Sequence, residues 1–171
     1  MQHINIEKLL RDADSRLRMI SRLGRIGTWS VDTETRKVTW SDELYEIHGV
    51  DRGTVISPEM ALDLYTPEWR EIITSAFARC VGRGIPFDLE LEIFAANGRR
   101  AWVRTIGEAV IDEAGAVVLI QGAFQDLSDQ KHVQDEARRA AARLTTTLES
   151  LTIGFITMNS EWLITYFNAQ S

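Results

Sequence analysis

The sequence predicts an α+β chain: a five-stranded antiparallel sheet with short helices on one face, flanked by an N-terminal amphipathic helix and a coiled-coil-like connecting helix. Three observations carry this. Strand signals fall into two blocks, two short runs within residues 26–41 and three long ones within residues 87–126, with helix signals between them. The apolar period changes from two to an alternation of four and three after Ser128. The opening pair, Ile26-Gly27-Thr28-Trp29-Ser30-Val31-Asp32 and Lys37-Val38-Thr39-Trp40-Ser41, begins again as Ile153-Gly154-Phe155-Ile156-Thr157-Met158-Asn159 and Leu163-Ile164-Thr165-Tyr166-Phe167-Asn168. An internal repeat marks a modular architecture. The second copy reaches Ser171 before its core could close, so the chain is expected to be an N-terminal piece of a longer modular protein.

Each element has its own warrant. Ile6, Leu10, Ala13, Leu17 and Ile20 alternate at spacings of four and three, which gives an amphipathic helix over residues 1–23 ending near Gly24. Two short strands follow across the polar turn Asp32-Thr33-Glu34-Thr35-Arg36. Ser41 stands at an N-cap, with Asp42 and Glu43 in the first turn of a short helix that ends at His48-Gly49. Residues 51–66 are mixed, with a short helix after Ser57-Pro58; Pro67 opens a stronger one, closed by Gly82-Arg83-Gly84. Phe87, Leu89, Leu91 and Ile93 alternate with Asp88, Glu90 and Glu92, a half-buried strand ending at the Asn97-Gly98 turn. Residues 101–111 and 116–126 are two further strands, joined through Asp112-Glu113-Ala114-Gly115.

Val133, Ala137, Ala140, Leu144, Thr147 and Leu151 then form a heptad seam over the connecting segment, residues 129–150. A continuous helix there would be about 30 Å long. The seam reads as a coiled coil, with a solvated monomeric connector as the alternative.

Composition sets outer limits. The 171 residues are 44% hydrophobic and 26% charged, ordinary globular material for one domain with appendages. No run is long and apolar enough for a membrane span, and the N-terminus lacks a signal-peptide layout. A lone Cys80 excludes an internal disulfide framework and fits a reducing compartment, so the cytoplasm is expected. Residues 25–128 carry ten bases against seventeen acids, a balance that repels phosphate and argues against nucleic acid as a partner.

Residues 24–128 resemble a PAS domain of the subgroup with Trp-rich first strands and an Asp-Ile-Thr-like exit. The resemblance rests on Gly27-Thr28-Trp29, Val38-Thr39-Trp40-Ser41-Asp42-Glu43-Leu44, Ile47-His48-Gly49-Val50, Pro86-Phe87-Asp88-Leu89-Glu90, Gly98-Arg99-Arg100-Ala101-Trp102-Val103-Arg104 and Gly122-Ala123-Phe124-Gln125-Asp126-Leu127-Ser128. Residues 151–171 look like the truncated start of a second copy. The resemblance implies a sensory and dimerisation module feeding an effector domain, a histidine kinase first and a diguanylate cyclase second. Two positions depart from the pattern: Ala101 stands where many relatives have Arg, and the exit triplet is Asp126-Leu127-Ser128.

A PAS core implies a cavity between sheet and helices. Its candidate lining is aromatic: Trp29, Trp40, Tyr45, Phe77, Phe87 and Trp102, with Trp69 in the same set. The alternative is that these rings simply fill the core. No cofactor is expected. Cys80 lies in Phe77-Ala78-Arg79-Cys80-Val81, unlike the flavin-reactive Asn-Cys-Arg-like motif, and residues 68–82 hold no His for haem; an unidentified small ligand remains open. His48 reads as a helix-end residue, and His3, His48 and His132 have no metal-ligand spacing. Nothing signals catalysis in the residues present: there is no phosphate loop, zinc signature or nucleophile elbow.

Signal transmission is assigned to the exit. Asp126 is expected to pair with Arg100 or Arg104, Ser128 to cap the connecting helix, and Asp126→Ala to cost about 1 kcal/mol. The chain is expected to form a homodimer through Ile6, Leu10, Leu17 and Ile20, through Val133, Leu144 and Leu151, or both; the N-terminal stripe can instead fold back on its own sheet. A ligand-free, constitutive dimerisation module is the alternative function.

Overall fold

The computed structural model describes residues 23–150 and 156–167, together with Lys8, Leu9, Arg11, Ser15, Arg16, Met19 and Ser21. Those seven positions are helical, as the N-terminal periodicity predicts, while the seam positions Ile6, Leu10, Ala13, Leu17, Ile20 and Leu151 lie outside the described residues. The chain divides into two compact units, residues 1–128 and 129–171.

In the first unit β1 (Ile26–Asp32) and β2 (Val38–Trp40) are followed by helices α1 (Asp42–His48), α2 (Pro58–Asp63) and α3 (Pro67–Arg83). Strands β3 (Phe87–Phe94), β4 (Arg100–Ile111) and β5 (Val117–Asp126) complete one antiparallel sheet in the order β2-β1-β5-β4-β3. The first and last strands of the unit thus lie side by side at its centre, Trp29 opposite Gly122. That placement brings the chain's entry at β1 next to its exit from β5.

Local chemistry explains the turns. Asp32 accepts from the Glu34 and Thr35 amides and from the Thr35 hydroxyl, closing the β1–β2 connection. The same device recurs at Asp112, whose carboxylate accepts from the Ala114 and Ala116 amides between β4 and β5. Ser41 occupies the N-cap position of α1, but its hydroxyl accepts from the Thr28 amide at 3.1 Å rather than capping the helix. It therefore ties α1 to β1. Gly27 permits that docking: a Cβ there would lie 2.7 Å from Leu44 Cβ. The Ser57 side chain caps α2 by accepting from the Met60 amide.

The inward sheet face and the helices share one core, including Leu44, Ile47, Ile73, Ala76, Cys80, Leu91, Ile93, Val103, Ile120 and Phe124. Tyr65 bridges to Ile93, and the Thr66 and Phe94 amides bond to Glu92 and Leu64 carbonyls, so the segment before α3 covers part of the β3 edge.

The second unit holds α4 (Ser128–Glu149, which begins one residue earlier) and a hairpin of β6 (Ile156–Met158) and β7 (Ile164–Phe167). The α4 helix is continuous, as predicted, and its seam residues Val133 and Leu144 are exposed. In the hairpin, Trp162, Leu163, Ile164 and Phe167 are exposed as well. Among the described residues no helix is long and apolar enough to cross a membrane, and no three His, Cys, Asp or Glu side chains gather as a metal site.

Candidate ligand cavity and helix junction

A cavity of about 60 Å³ lies between the inward sheet face and the helices. Trp29 of β1, Trp40 of β2, Phe77 of α3 and Phe87 of β3 line it, four of the six aromatic candidates. Trp29 stacks on Phe87 at 6.1 Å and tilts against Phe77 at 6.3 Å. Gly107 makes room for this group: it faces Phe87 across the β3–β4 ladder, and a Cβ there would sit 2.3 Å from the Phe87 ring. The Trp29 Nε1–H is buried with no hydrogen-bond partner among the described residues.

Two candidates are corrected. Tyr45 is not a lining residue; its ring packs edge-on against Trp40 at 5.4 Å and its hydroxyl donates to the Thr54 carbonyl. Trp102 is also outside the lining, because it lies one position from the inward-facing Ala101 and Val103 and so alternates to the other side, where it pairs with Trp69 at 6.0 Å. Cys80 is fully buried in the core, and burial raises its thiol pKa.

Among the lining residues that escaped the sequence reading, the aromatic and polar ones are His48, Tyr65, Thr105 and Phe124. Phe124 and Thr105 were within reach, since both continue inward-facing alternations, Ile120 to Phe124 and Val103 to Thr105. His48 is no mere helix end. It is 2% exposed, stacked with Trp40 at 4.6 Å and packed against Phe124 at 4.7 Å, with Nδ1 3.0 Å from the Leu44 carbonyl oxygen. Burial pushes its pKa down to about 4, outweighing the Leu44 hydrogen bond, so the ring is neutral at pH 7. Burial likewise raises the Tyr65 pKa, opposed by its hydrogen bond with Thr105.

The exit is built around Asp126, whose side chain is 1% exposed. Its carboxylate meets Arg25 at 2.8 Å and Arg99 at 3.4 Å, and accepts from the Ser128 amide at 2.9 Å. The backbone joins in, with the Asp126 amide donating to the Arg25 carbonyl and the Leu127 amide to that of Trp102. This corrects the expected partners. Arg104 forms a bidentate pair with Asp88, and Arg100 reaches Glu68 at 3.5 Å. The cap is also reassigned, from the Ser128 hydroxyl to the Asp126 carboxylate acting on the Ser128 amide. Burial raises the Asp126 pKa, but hydrogen bonding from Ser128 and the charges of Arg25 and Arg99 outweigh it and hold the carboxyl below its ordinary value. One carboxylate therefore joins the entry to β1, the β3–β4 turn and the start of α4.

The profile of the PAS fold family matches residues 37–124, just over half of the chain. This chain belongs to the PAS family. The PAS match includes His48, Tyr65, Phe87, Thr105 and Phe124 of the cavity, whereas Arg25 and Asp126 fall outside it. The sensor protein FixL of Bradyrhizobium diazoefficiens is 27% identical over 143 residues, covering 84% of this chain and 28% of that protein. The probable diguanylate cyclase DgcE of Escherichia coli is 20% identical over 162 residues, covering 95% of this chain and 15% of its own length. Among solved structures, a sensory box histidine kinase/response regulator from Burkholderia thailandensis superposes with a TM-score of 0.60 at 19% identity, over 75% of this chain and 97% of that one. The N-terminal domain of a diguanylate cyclase with PAS/PAC sensor from Marinobacter aquaeolei gives 0.59 at 19% identity, over 63% and 99%. The two structures share the PAS fold, and this chain spans less than a third of either curated relative. It is a PAS sensory domain homologous to those of signalling proteins.

Proposed function

We propose that this PAS domain is the cytoplasmic input module of a signal-transduction protein, in which occupancy of the cavity alters the Asp126 junction and hence α4. The observation that carries the reading is the position of Asp126. It is the last residue of β5, whose Phe124 lines the cavity, and its carboxylate holds the first amide of α4. A shift of β5 thus has a short mechanical route to the helix, and a helix pair with two registers is a bistable output element. The exposed Val133 and Leu144 favour a second copy of the chain as the partner of α4. The hairpin of β6 and β7 repeats the opening hairpin and is read as the start of a second PAS domain.

By analogy with its relatives the effector is a histidine kinase, with a diguanylate cyclase as the second choice. The cavity lies far below the roughly 300–1,000 Å³ of sites for drug-sized ligands, so it suits a ligand of a few heavy atoms rather than a flavin or haem. The same small volume favours one competing reading, a ligand-free module that only dimerises its parent. Native mass spectrometry of the purified chain, paired with output assays of the parent carrying Asp126→Ala, separates the two. A retained small molecule and an output no longer responsive to it are expected. A parent whose response survives Asp126→Ala refutes the transmission route.

A further inference from the structure

His48 has a second ring nitrogen that the fold leaves unused. A carbonyl oxygen only accepts, so the 3.0 Å contact with the Leu44 carbonyl requires the proton on Nδ1. The buried ring is neutral and carries that proton alone, which leaves Nε2 with its lone pair. Among the described residues nothing hydrogen-bonds Nε2. Nor is the ring free to turn, being held against Trp40 and Phe124. His48 lines the cavity, and a lone pair on its ring with no protein partner is open to a donor that a ligand supplies.

The rest of the lining narrows the chemistry. Tyr65 and Thr105 bond to each other. No lining side chain is ionised, so a charged ligand would be buried without a counter-charge. At about 60 Å³ the cavity is also smaller than the roughly 150 Å³ that admits a benzene ring.

We infer that His48 is the specificity-determining residue of this cavity, and that its ligand is a small uncharged molecule directing one O–H or N–H donor at Nε2. The inference rests on the reading of the cavity as the sensing site.

Three nearly isosteric probes test it: 2-propanol, which has a donor, acetone, which has only an acceptor, and acetate, which is charged. Each is titrated into the whole chain while nitrogen NMR follows the His48 ring and the Trp29 indole. Saturable binding of 2-propanol with a shift at Nε2 is expected. Acetone should bind about fivefold more weakly, the size of one net hydrogen bond, and acetate should leave both signals unmoved. His48→Gln, which keeps a neutral acceptor, should retain the preference for 2-propanol, and His48→Phe should abolish it. Equal binding of 2-propanol and acetone, or binding of acetate, overturns the assignment while leaving the cavity a ligand site. No saturable response to any probe overturns the ligand reading as well. Should His48→Phe fail to fold, the wild-type shift decides: bound 2-propanol with an unmoved Nε2 signal refutes the proposal.

Discussion

Burying a neutral imidazole makes the stability of this domain depend on pH. In the unfolded chain a histidine titrates near 6.5, whereas folded His48 titrates at about 4. Between those values the unfolded state binds the extra proton, so the contribution is intact above pH 6.5, falls as the pH drops, and levels off below 4. At about 1.4 kcal/mol per pH unit the loss approaches 3 kcal/mol. Urea denaturation at pH 7 and pH 4, for wild type and His48→Phe, isolates it. The wild type should lose about 3 kcal/mol more than the variant, and parallel losses would contradict a buried neutral ring. Asp126 acts at lower pH: its depressed folded pKa stabilises above the ordinary carboxylate value, and that support is lost as the pH falls through the folded one. Asp126→Ala should cost about 2 kcal/mol, above the single-cap value, because it strips a charged acceptor from Ser128, Arg25 and Arg99. Arg25→Ala should cost under about 1 kcal/mol, its guanidinium being half exposed. Thermal unfolding of both variants checks the order. Of the true partners of Asp126, Arg99 is the immediate neighbour of the expected Arg100, while Arg25 is far off in sequence. Arg104 could have been set aside by parity, since Asp126 lies opposite inward-facing Val103 and Arg104 is the next residue along. Arg25 could not, because its approach depends on a left-handed backbone at φ 47°.

At the scale of elements, the docking of α1 on β1 is the tightest constraint. Gly27→Ala would place a Cβ within 2.9 Å of Leu44 backbone atoms, which cannot move without shifting the helix. A loss of about 1–3 kcal/mol is expected, with altered backbone NMR shifts in α1 but little change in α3; unchanged stability would show that α1 is loosely held. Elements with strong periodicity were legible: the three long strands and α3 carry their own apolar alternation, and Asp32 and Asp112 announce their turns. In the segment of residues 51–66 only the short helix after Ser57-Pro58 was legible. Tyr65 is fixed by a backbone bridge to Ile93, and Thr66 by the Glu92 carbonyl, contacts that no local pattern records. The cavity inherits that limit, since Tyr65 is one of its walls.

For the whole molecule, transmission through a helix pair requires self-association of α4. Val133→Glu with Leu144→Glu should lower the sedimentation mass from dimer to monomer at micromolar concentration without altering the PAS core spectrum. A wild-type chain that remains monomeric at every concentration would remove the helix pair from the mechanism. The central claim is that the cavity and α4 are coupled through Asp126. Amide hydrogen exchange across the first two turns of α4, residues 128–135, tests it most directly, with the cavity empty and then occupied by the ligand that co-purifies or by 2-propanol. Occupancy is predicted to change exchange in those turns, and the change is predicted to vanish in Asp126→Asn. Exchange that responds around His48 and Phe124 but stays constant over residues 128–135 would contradict it.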